Sequence, residues 1–373
     1  LDRSVRRLRN SLTPQGIRSL EAIRPVPVRQ AYNLYRDFVE PGESALPSGQ
    51  HIIVVPDGGL QSLPLSVLVT AADAPVPTDL ASHAQVPWLG ARHAISYLPS
   101  AGSLRALRKF AGSSDKASRP FIGIGDPRLS SPIQEAAVST GLRAAPNQTA
   151  AANFRAMVAD GARGGVSPQM LSSMPELPET ADELRQIAAT LGAVGDEIVL
   201  RDQATESNVR NRQLDRFQVV QFATHGLMAG DFQGLFEPAL VLTPPLNPVP
   251  SNDGLLTASE ISQLKLNADW VVLSACNTAA PDGTPGAEGL SGLAKAFFFA
   301  GSRSMLVSHW EVMSEAAVSL TSGLFAEAKK SSANGRAEAL RLSIQKLLND
   351  KDHPQFAHPM FWAPFVVVGE GGK

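Results

Sequence analysis

The segments Val219-Val-Gln-Phe-Ala-Thr-His225-Gly226 and Trp270-Val-Val-Leu-Ser-Ala-Cys276 share one form: an apolar run followed closely by a reactive side chain. Continuous apolar runs of this length are typical of strands that are buried on both faces of a parallel sheet. In such sheets, functional side chains follow the carboxyl ends of the strands. If these two strands are neighbours, His225 and Cys276 emerge at the same edge, so the pair predicts both the fold and the site.

Further apolar runs alternate with helical patterns along the chain. Beyond the two quoted segments, such runs cover residues 52–55, 121–124, 198–200, 239–242, 305–307 and 365–368. Helices are predicted over residues 289–301, 314–330 and 335–349. A fourth helix is predicted to start with the capping box Thr180-Ala-Asp-Glu183 and to end at Gly192. This alternation predicts an α/β sandwich with a mostly parallel sheet.

Composition and pattern divide the chain into three parts. Residues 1–45 predict an N-terminal helical bracket or linker, and residues 46–195 and 196–373 predict two strand-rich halves. Residues 129–176, which are rich in Ala, Ser, Gly and Pro, predict a long, partly mobile surface insertion in the first half. The sequence begins with Leu1 and not with Met, so we expect a fragment whose natural N-terminus is missing.

Charge and cysteine content argue against several functional classes. The 33 basic and 35 acidic side chains give a net charge of −2, and no basic run with interleaved aromatic residues occurs, so we expect no nucleic-acid ligand. No apolar run reaches the roughly 18–20 residues that cross a bilayer. The single cysteine can form neither an internal disulfide nor a cysteine-based zinc site. It indicates either a reducing compartment, which we expect to be the cytoplasm, or a free thiol with a function.

The sequence lacks the common motifs for cofactors, metals and serine nucleophiles. It contains no strand–Gly-x-Gly-x-x-Gly–helix unit, phosphate loop or Gly-x-Ser-x-Gly elbow, and no histidine pair has the spacing His-Glu-x-x-His. We therefore expect no cofactor and no metal. His309 and His358 are interpreted as packed, structural side chains.

His225 and Cys276 are the candidate catalytic residues. They lie 51 residues apart, close to the roughly 50 residues by which the histidine precedes the nucleophile in caspases. An imidazole beside a thiol can accept its proton and so activate the sulfur as a nucleophile. Because Gly226 has no side chain, its N–H can approach a substrate carbonyl as an oxyanion donor, with the Cys276 N–H as its partner. Taken singly, a buried cysteine or a lone histidine is more often structural.

The sequence resembles the CHAT domain, a caspase-like, separase-related module that often follows tetratricopeptide repeats in bacteria. The resemblance covers about residues 30 to 369, and its segments are Ile52-Ile-Val-Val-Pro-Asp-Gly58, Ile95-Ser-Tyr-Leu-Pro-Ser100, Gly123-Ile-Gly-Asp-Pro127, Ala223-Thr-His-Gly226, Gly254-Leu-Leu-Thr-Ala-Ser-Glu-Ile261, Leu273-Ser-Ala-Cys-Asn-Thr278, Gly286-Ala-Glu-Gly289, Leu293-Ala-Lys-Ala-Phe297 and His358-Pro-Met-Phe-Trp-Ala-Pro-Phe365. It implies a cysteine endopeptidase with His225 and Cys276 as its dyad. It also implies a caspase-like three-layer α/β sandwich whose first half, residues 46–195, is a degenerate copy of the protease fold.

The sequence departs from the family pattern after the apolar run 305–307, the strand that follows the predicted helix 289–301. Family members often have Trp-Pro-Val-Asp-Asp there, and separases use an acid of this region to bind the arginine before the scissile bond. Here the segment is Trp310-Glu-Val-Met-Ser314, so Met313 and Ser314 replace the two acids. A pocket without that carboxylate would lose a preference for Arg or Lys, because an unpaired buried cation is costly. We expect cleavage after a small or apolar residue, with Met313, Ser314 and Glu311 at the pocket. Glu288, Glu311 and Glu315 are acids that could restore a basic preference.

The resemblance also implies partners and leaves alternatives open. It implies a protein substrate, which in bacterial defence systems is a gasdermin-like or CRISPR-associated protein, and regulation by an upstream tetratricopeptide-repeat region or a regulatory protein. One alternative is a catalytically silent CHAT scaffold that acts as a protein-interaction module. Another is a latent protease that is switched by the upstream region or by residues 129–176.

Overall fold

A computed structural model gives the fold of the protein. It describes residues 2–12, 20–43, 50–100, 102–103, 105, 117–129, 168–193, 197–231, 234–249, 251–274, 292–310, 313–330 and 335–372. The strands are β1 (Ile52–Val54), β2 (Ile95–Tyr97), β3 (Arg119–Pro127), β4 (Ile198–Arg201), β5 (Phe217–Ala223), β6 (Gly226–Leu227), β7 (Ala239–Val241), β8 (Leu255–Thr257), β9 (Trp270–Leu273), β10 (Ser304–Ser308) and β11 (Phe365–Gly369). The helices are α1 (Asp2–Leu12), α2 (Val28–Phe38), α3 (Glu40–Glu43), α4 (Leu89–Arg92), α5 (Pro168–Leu171), α6 (Glu179–Leu191), α7 (Glu206–Asn211), α8 (Ala258–Ile261), α9 (Gly292–Ala300), α10 (Ser314–Lys330), α11 (Arg336–Leu348) and α12 (Pro359–Trp362).

Eight of these strands form one sheet in the order β1-β2-β11-β10-β9-β5-β3-β4. Every neighbouring pair in this sheet is parallel except β10 and β11. The inner strands of the sheet carry runs of buried, mostly apolar residues, as expected for strands that are covered on both faces, whereas the edge strands β1 and β4 are only partly buried. The predicted α/β class with a mostly parallel sheet is therefore confirmed.

Helices cover both faces of the large sheet. On one face, Glu183 of α6 contacts Gln221 of β5, and α10 and α11 continue the layer beside α6. The next residue of β5, Phe222, packs against Phe297 of α9 with ring centroids 5.5 Å apart. Because successive side chains of a strand point to opposite faces, α6 and α9 lie on opposite faces of the sheet. The molecule thus has the three layers that the sequence predicts.

The predicted apolar runs all form strands, and all but one of them join the large sheet. The exception is the run 239–242, because β7 pairs instead with the short strand β6 that directly follows the end of β5. The strands β6, β7 and β8 form a separate antiparallel sheet. The strand β2 was not among the predicted runs, since it has only three residues and Ser96 interrupts its apolar pattern.

The boundary predicted at residue 195 falls between β3 and β4. These two strands pair with each other in the large sheet, and β1 and β2 from the first half form its opposite edge. Strands from both sides of the boundary therefore share one sheet. The division into a degenerate half and a catalytic half stays a prediction.

A second hydrophobic cluster joins the small sheet to the segment before α6. Leu171 and Met174 are buried in it together with Leu227 of β6, Val241 of β7 and Leu255 of β8. Residues 168–176, the end of the predicted insertion, thus pack beside the strand that follows His225. Residues 130–167 of that insertion lie outside the described residues.

Helix α6 begins differently from its prediction. It starts directly after Pro178, so the predicted capping box between Thr180 and Glu183 does not form. The Thr180 hydroxyl instead accepts the Asp126 N–H at 2.9 Å, and Glu183 turns into the protein interior. The predicted end of the helix is confirmed, since Gly192 has φ 76°, a conformation that favours glycine.

The N-terminal helix α1 is fixed to the carboxyl end of β10. The guanidinium of Arg9 donates to the Ser62 carbonyl at 2.7 Å and to the His309 carbonyl at 2.5 Å. It also lies over the Trp310 ring, 4.5 Å from its centroid. Burial lowers the pKa of Arg9 to about 10, so the group is charged at neutral pH and both carbonyls receive charge-assisted hydrogen bonds.

Candidate active site

The strands β5 and β9 are parallel neighbours, and their register fixes which residues of the two strands lie opposite each other. The pairing runs from Val219 opposite Trp270 to Phe222 opposite Leu273, a constant offset of 51 residues. It continues beyond the strand, because the residue after Leu273 donates its N–H to the Phe222 carbonyl at 3.0 Å. The same offset separates position 225 from position 276. Cys276 lies outside the described residues, so the structure places the strand that leads to it and not the thiol.

His225 follows the end of β5 and is half-buried. Its Nε2 lies 2.7 Å from the backbone carbonyl oxygen of Pro175. Since a carbonyl oxygen only accepts hydrogen bonds, Nε2 carries the proton, and Nδ1 is the basic nitrogen of the neutral ring. A backbone carbonyl leaves no trace in a sequence pattern, which is why Pro175 was not predicted as a site residue.

A buried polar network lies behind the ends of β5 and β9. Glu183 Oε1 accepts from Gln221 Nε2 at 2.7 Å and from Ser274 Oγ at 2.6 Å, and Gln221 Nε2 is 3.0 Å from Ser274 Oγ. Burial raises the pKa of Glu183 to about 7, against the opposing effect of its two hydrogen bonds. The network ties α6 to both strands that lead to the candidate dyad. Its members were not predicted, because Glu183 fits a capping box equally well in sequence.

The N–H of Gly226 takes no part in the pairing of β6 with β7. The Val241 N–H donates to the His225 carbonyl at 2.9 Å, and the next opposing pair is Gly226 with Leu240. Opposing residues of an antiparallel pair alternate between bonded and non-bonded pairs. The N–H of Gly226 therefore points away from β7, toward the outer edge of β6, where an external acceptor could approach it.

A family model matches most of the chain. The model described as "CHAT domain" matches residues 28–370. The chain belongs to the CHAT domain family. Among curated proteins, this CHAT chain is similar to tetratricopeptide repeat protein 28 of Mus musculus, with 35% identity over 126 residues. That match covers 33% of this chain and 5% of the relative's length.

Two solved structures show a weaker similarity to the CHAT chain. The Arg-specific cysteine proteinase gingipain R has a TM-score of 0.45 and 10% identity, with 100% of this chain and 74% of that chain covered. Separase in the Saccharomyces cerevisiae separase–securin complex has a TM-score of 0.37 and 12% identity, with 76% of this chain and 14% of that chain covered.

The predicted specificity pocket of the CHAT chain follows β10, the neighbour of β9 in the sheet. Met313 precedes α10 and exposes 46% of its surface, and Ser314 is the first residue of that helix. Glu311 lies outside the described residues. The pocket segment thus follows the strand beside the one that leads to Cys276, and its role stays a prediction.

The two histidines that the sequence assigns to packing are buried. Burial lowers the pKa of His309 to about 3 and that of His358 to about 3, so both are neutral at physiological pH.

No described helix of the CHAT chain is long and apolar enough to cross a bilayer. Within the described ranges, no group of three or more His, Cys, Asp or Glu residues could hold a metal ion.

Proposed function

We propose that this CHAT domain is a cysteine endopeptidase in which His225 and Cys276 form the catalytic dyad. The observation that carries the proposal is the register of β5 and β9, because its constant offset of 51 residues equals the sequence spacing between His225 and Cys276. The hydrogen bond from His225 to the Pro175 carbonyl supports it, since it makes Nδ1 the nitrogen that can take a proton from a thiol. Membership of the CHAT family supports the same activity.

The acylation step forms a thioester. The sulfur of Cys276 bonds to the carbonyl carbon of the scissile peptide while His225 takes the thiol proton. The carbonyl oxygen becomes an oxyanion, which the N–H groups of Gly226 and Cys276 stabilise. When the tetrahedral intermediate collapses, the C–N bond breaks and the imidazolium gives its proton to the leaving amine.

The deacylation step uses water. His225 takes a proton from a water molecule, whose oxygen bonds to the thioester carbon. The C–S bond then breaks, the sulfur recovers the proton from the imidazolium, and the second product leaves as a carboxylic acid. The outward direction of the Gly226 N–H supports its part in both steps, because β7 does not occupy it.

The substrate is proposed to be a protein that carries a small or apolar residue before the cleaved bond. Met313 and Ser314 stand where an acid would favour Arg or Lys, and the exposed side chain of Met313 offers an apolar contact. The similarity to tetratricopeptide repeat protein 28 supports an upstream repeat region as a regulator. Gasdermin-like or CRISPR-associated partners in a bacterial cytoplasm stay proposals by family resemblance.

The test is the mapping of new N-termini in a protein mixture treated with the wild-type chain or with Cys276→Ala. We expect cleavage products with the wild type only, and a small or apolar residue before each cleaved bond. Identical fragment sets from the two chains would contradict the peptidase proposal. Cleavage after Arg or Lys would contradict the specificity and leave the peptidase activity in place.

The alternative is a catalytically silent scaffold. Alkylation by iodoacetamide across pH distinguishes the two, because an activated cysteine reacts below the usual thiol pKa of about 8.5. A scaffold should react no faster than a model thiol, and Cys276→Ala should leave its cellular effect unchanged. The presence of His225, Gly226 and Cys276 together favours the enzyme, since a scaffold does not need them.

A further inference from the structure

The carbonyl that orients His225 belongs to the peptide unit between Pro175 and Glu176. It accepts from Nε2 of His225 at 2.7 Å, and the same planar unit contains the Glu176 nitrogen. Any restraint on Glu176 therefore acts directly on the hydrogen bond to the imidazole. Pro175 is itself exposed, so burial of its ring does not fix the carbonyl.

Glu176 is restrained by an ion pair with Arg201. Arg201 Nη1 donates to Glu176 Oε2 at 2.7 Å and to Asp126 Oδ1 at 3.1 Å. The hydrogen bond to Glu176, and then that to Asp126, raise the pKa of Arg201, so its guanidinium stays charged. One cation thus connects the carboxyl ends of β3 and β4 to the segment that carries the Pro175 carbonyl.

The backbone at this ion pair is strained on both strands. Asp126 has φ 41° and Arg201 has φ 51°, and no other non-glycine residue in the described ranges has a positive φ. Asp126 also sits at the register shift between Gly125 and Pro127, a bulge of the kind that re-aims a side chain. Strained conformations persist where surrounding contacts require them, and they are concentrated at functional sites.

We infer that Arg201 is a positioning residue for His225, an inference that rests on the proposed function. Through Glu176, its guanidinium holds the Pro175 carbonyl in the position where it accepts the hydrogen bond from Nε2 of His225. Without the ion pair, the Pro175–Glu176 peptide can rotate and the imidazole loses the partner that fixes its tautomer. Proton transfer from the thiol then loses its alignment, although Arg201 touches neither substrate nor sulfur.

The other end of the same strand pair provides a matched control. Arg119 at the start of β3 places its Nε 2.7 Å from Oε1 of Glu197, just before β4. The exposed fraction of the side chain is 32% for Arg119 and 31% for Arg201. The two arginines therefore agree in charge and exposure, and they lie at opposite ends of the strand pair. Their acid partners differ, since Glu197 exposes 2% of its side chain and Glu176 exposes 29%.

The experiment measures the rate at which iodoacetamide alkylates the chain as a function of pH. The chain has one cysteine, so the label reports Cys276 alone. For the wild type we expect a rate above that of a model thiol at about pH 7, where an ordinary thiol with a pKa near 8.5 is mostly protonated. Arg201→Met and Glu176→Ala should each lower this rate on the order of 10-fold to 100-fold. Arg201→Lys should recover part of it, and Arg119→Met should keep the wild-type pH profile.

A double-mutant cycle with His225→Ala separates positioning from general damage. In the His225→Ala background, Arg201→Met should cause no further loss of rate, because Arg201 acts through the imidazole. A folded Arg201→Met chain with the wild-type profile, or an equal loss in both backgrounds, overturns the inference. A wild-type profile equal to that of a model thiol overturns the proposed function instead. If Arg201→Met does not fold, Glu176→Ala carries the same test with the same outcomes.

Discussion

Two strands of the large sheet are followed by a histidine, and the two histidines differ in burial and in hydrogen bonding. His225 follows β5, is half-buried and donates to the Pro175 carbonyl. His309 follows β10, exposes 5% of its surface, and has a pKa that burial lowers to about 3. No group within the described ranges bonds to its buried Nδ1.

The residue after each histidine accounts for much of this difference. Gly226 adds no side chain beside His225, so the imidazole stays accessible at the sheet edge. Trp310 follows His309. The guanidinium of Arg9 in α1 lies over the Trp310 ring and donates a hydrogen bond to the His309 carbonyl. A histidine at the carboxyl end of a parallel strand is therefore not enough for a site, since the next residue helps to decide whether it meets solvent.

The largest expected effect comes from replacing each histidine by glutamine. His225→Gln should lower peptidase activity on the order of 10²-fold to 10⁴-fold, the usual contribution of a general acid–base, with little change in stability. His309→Gln should lower the free energy of unfolding by about 1–3 kcal/mol, because a buried amide lacks partners there. Activity against a cleaved protein and urea unfolding measure the two effects.

The same two variants test whether His225, and not His309, takes part in the reaction. Activity should be expressed per folded molecule, so that the lower stability of His309→Gln does not appear as a loss of catalysis. An equal activity loss in both variants would mean that His309 takes part in the reaction. Full activity in His225→Gln would remove His225 from the dyad.

The sequence predicts the two strands that lead to the candidate dyad, because an apolar run is a local pattern. It leaves open whether these strands are neighbours, and the structure shows that β5 and β9 pair in parallel with a constant offset of 51 residues. The role of Glu183 could not be predicted, since Thr180-x-x-Glu183 also has the form of a helix cap. Contacts between distant elements, such as Arg201 with Glu176, have no local signal at all.

A smaller effect should come from Glu183, which lies behind the end of β5. Burial raises its pKa in the folded chain from the usual 4.5 to about 7, so its contribution to stability is present below pH 4.5 and is lost as pH rises through 7. Glu183→Gln keeps an acceptor for both Gln221 and Ser274 but does not ionise. Relative to the wild type, it should gain up to about 3 kcal/mol of stability between pH 4.5 and pH 8.

Denaturant unfolding across this pH range checks the change, with Asp182→Asn as the control. Asp182 lies on the same helix and is exposed, so its replacement removes a negative charge without removing a buried carboxyl. A parallel stability curve for Glu183→Gln and the wild type would contradict the raised pKa of Glu183.

The smallest effect should come from His309 in acid, and its sign is opposite to that of Glu183. Its pKa of about 3 in the folded chain lies below the usual 6.5, so between these values the unfolded chain binds a proton at this histidine and the folded chain does not. Stability from this group is complete above pH 6.5 and falls as pH drops toward 3. At pH 5.5 the loss is about 1.4 kcal/mol, and His309→Gln should lack it. His358→Gln should behave in the same way, because burial also lowers the pKa of His358 to about 3. Equal acid sensitivity of the wild type and both variants would contradict the lowered pKa of these two rings.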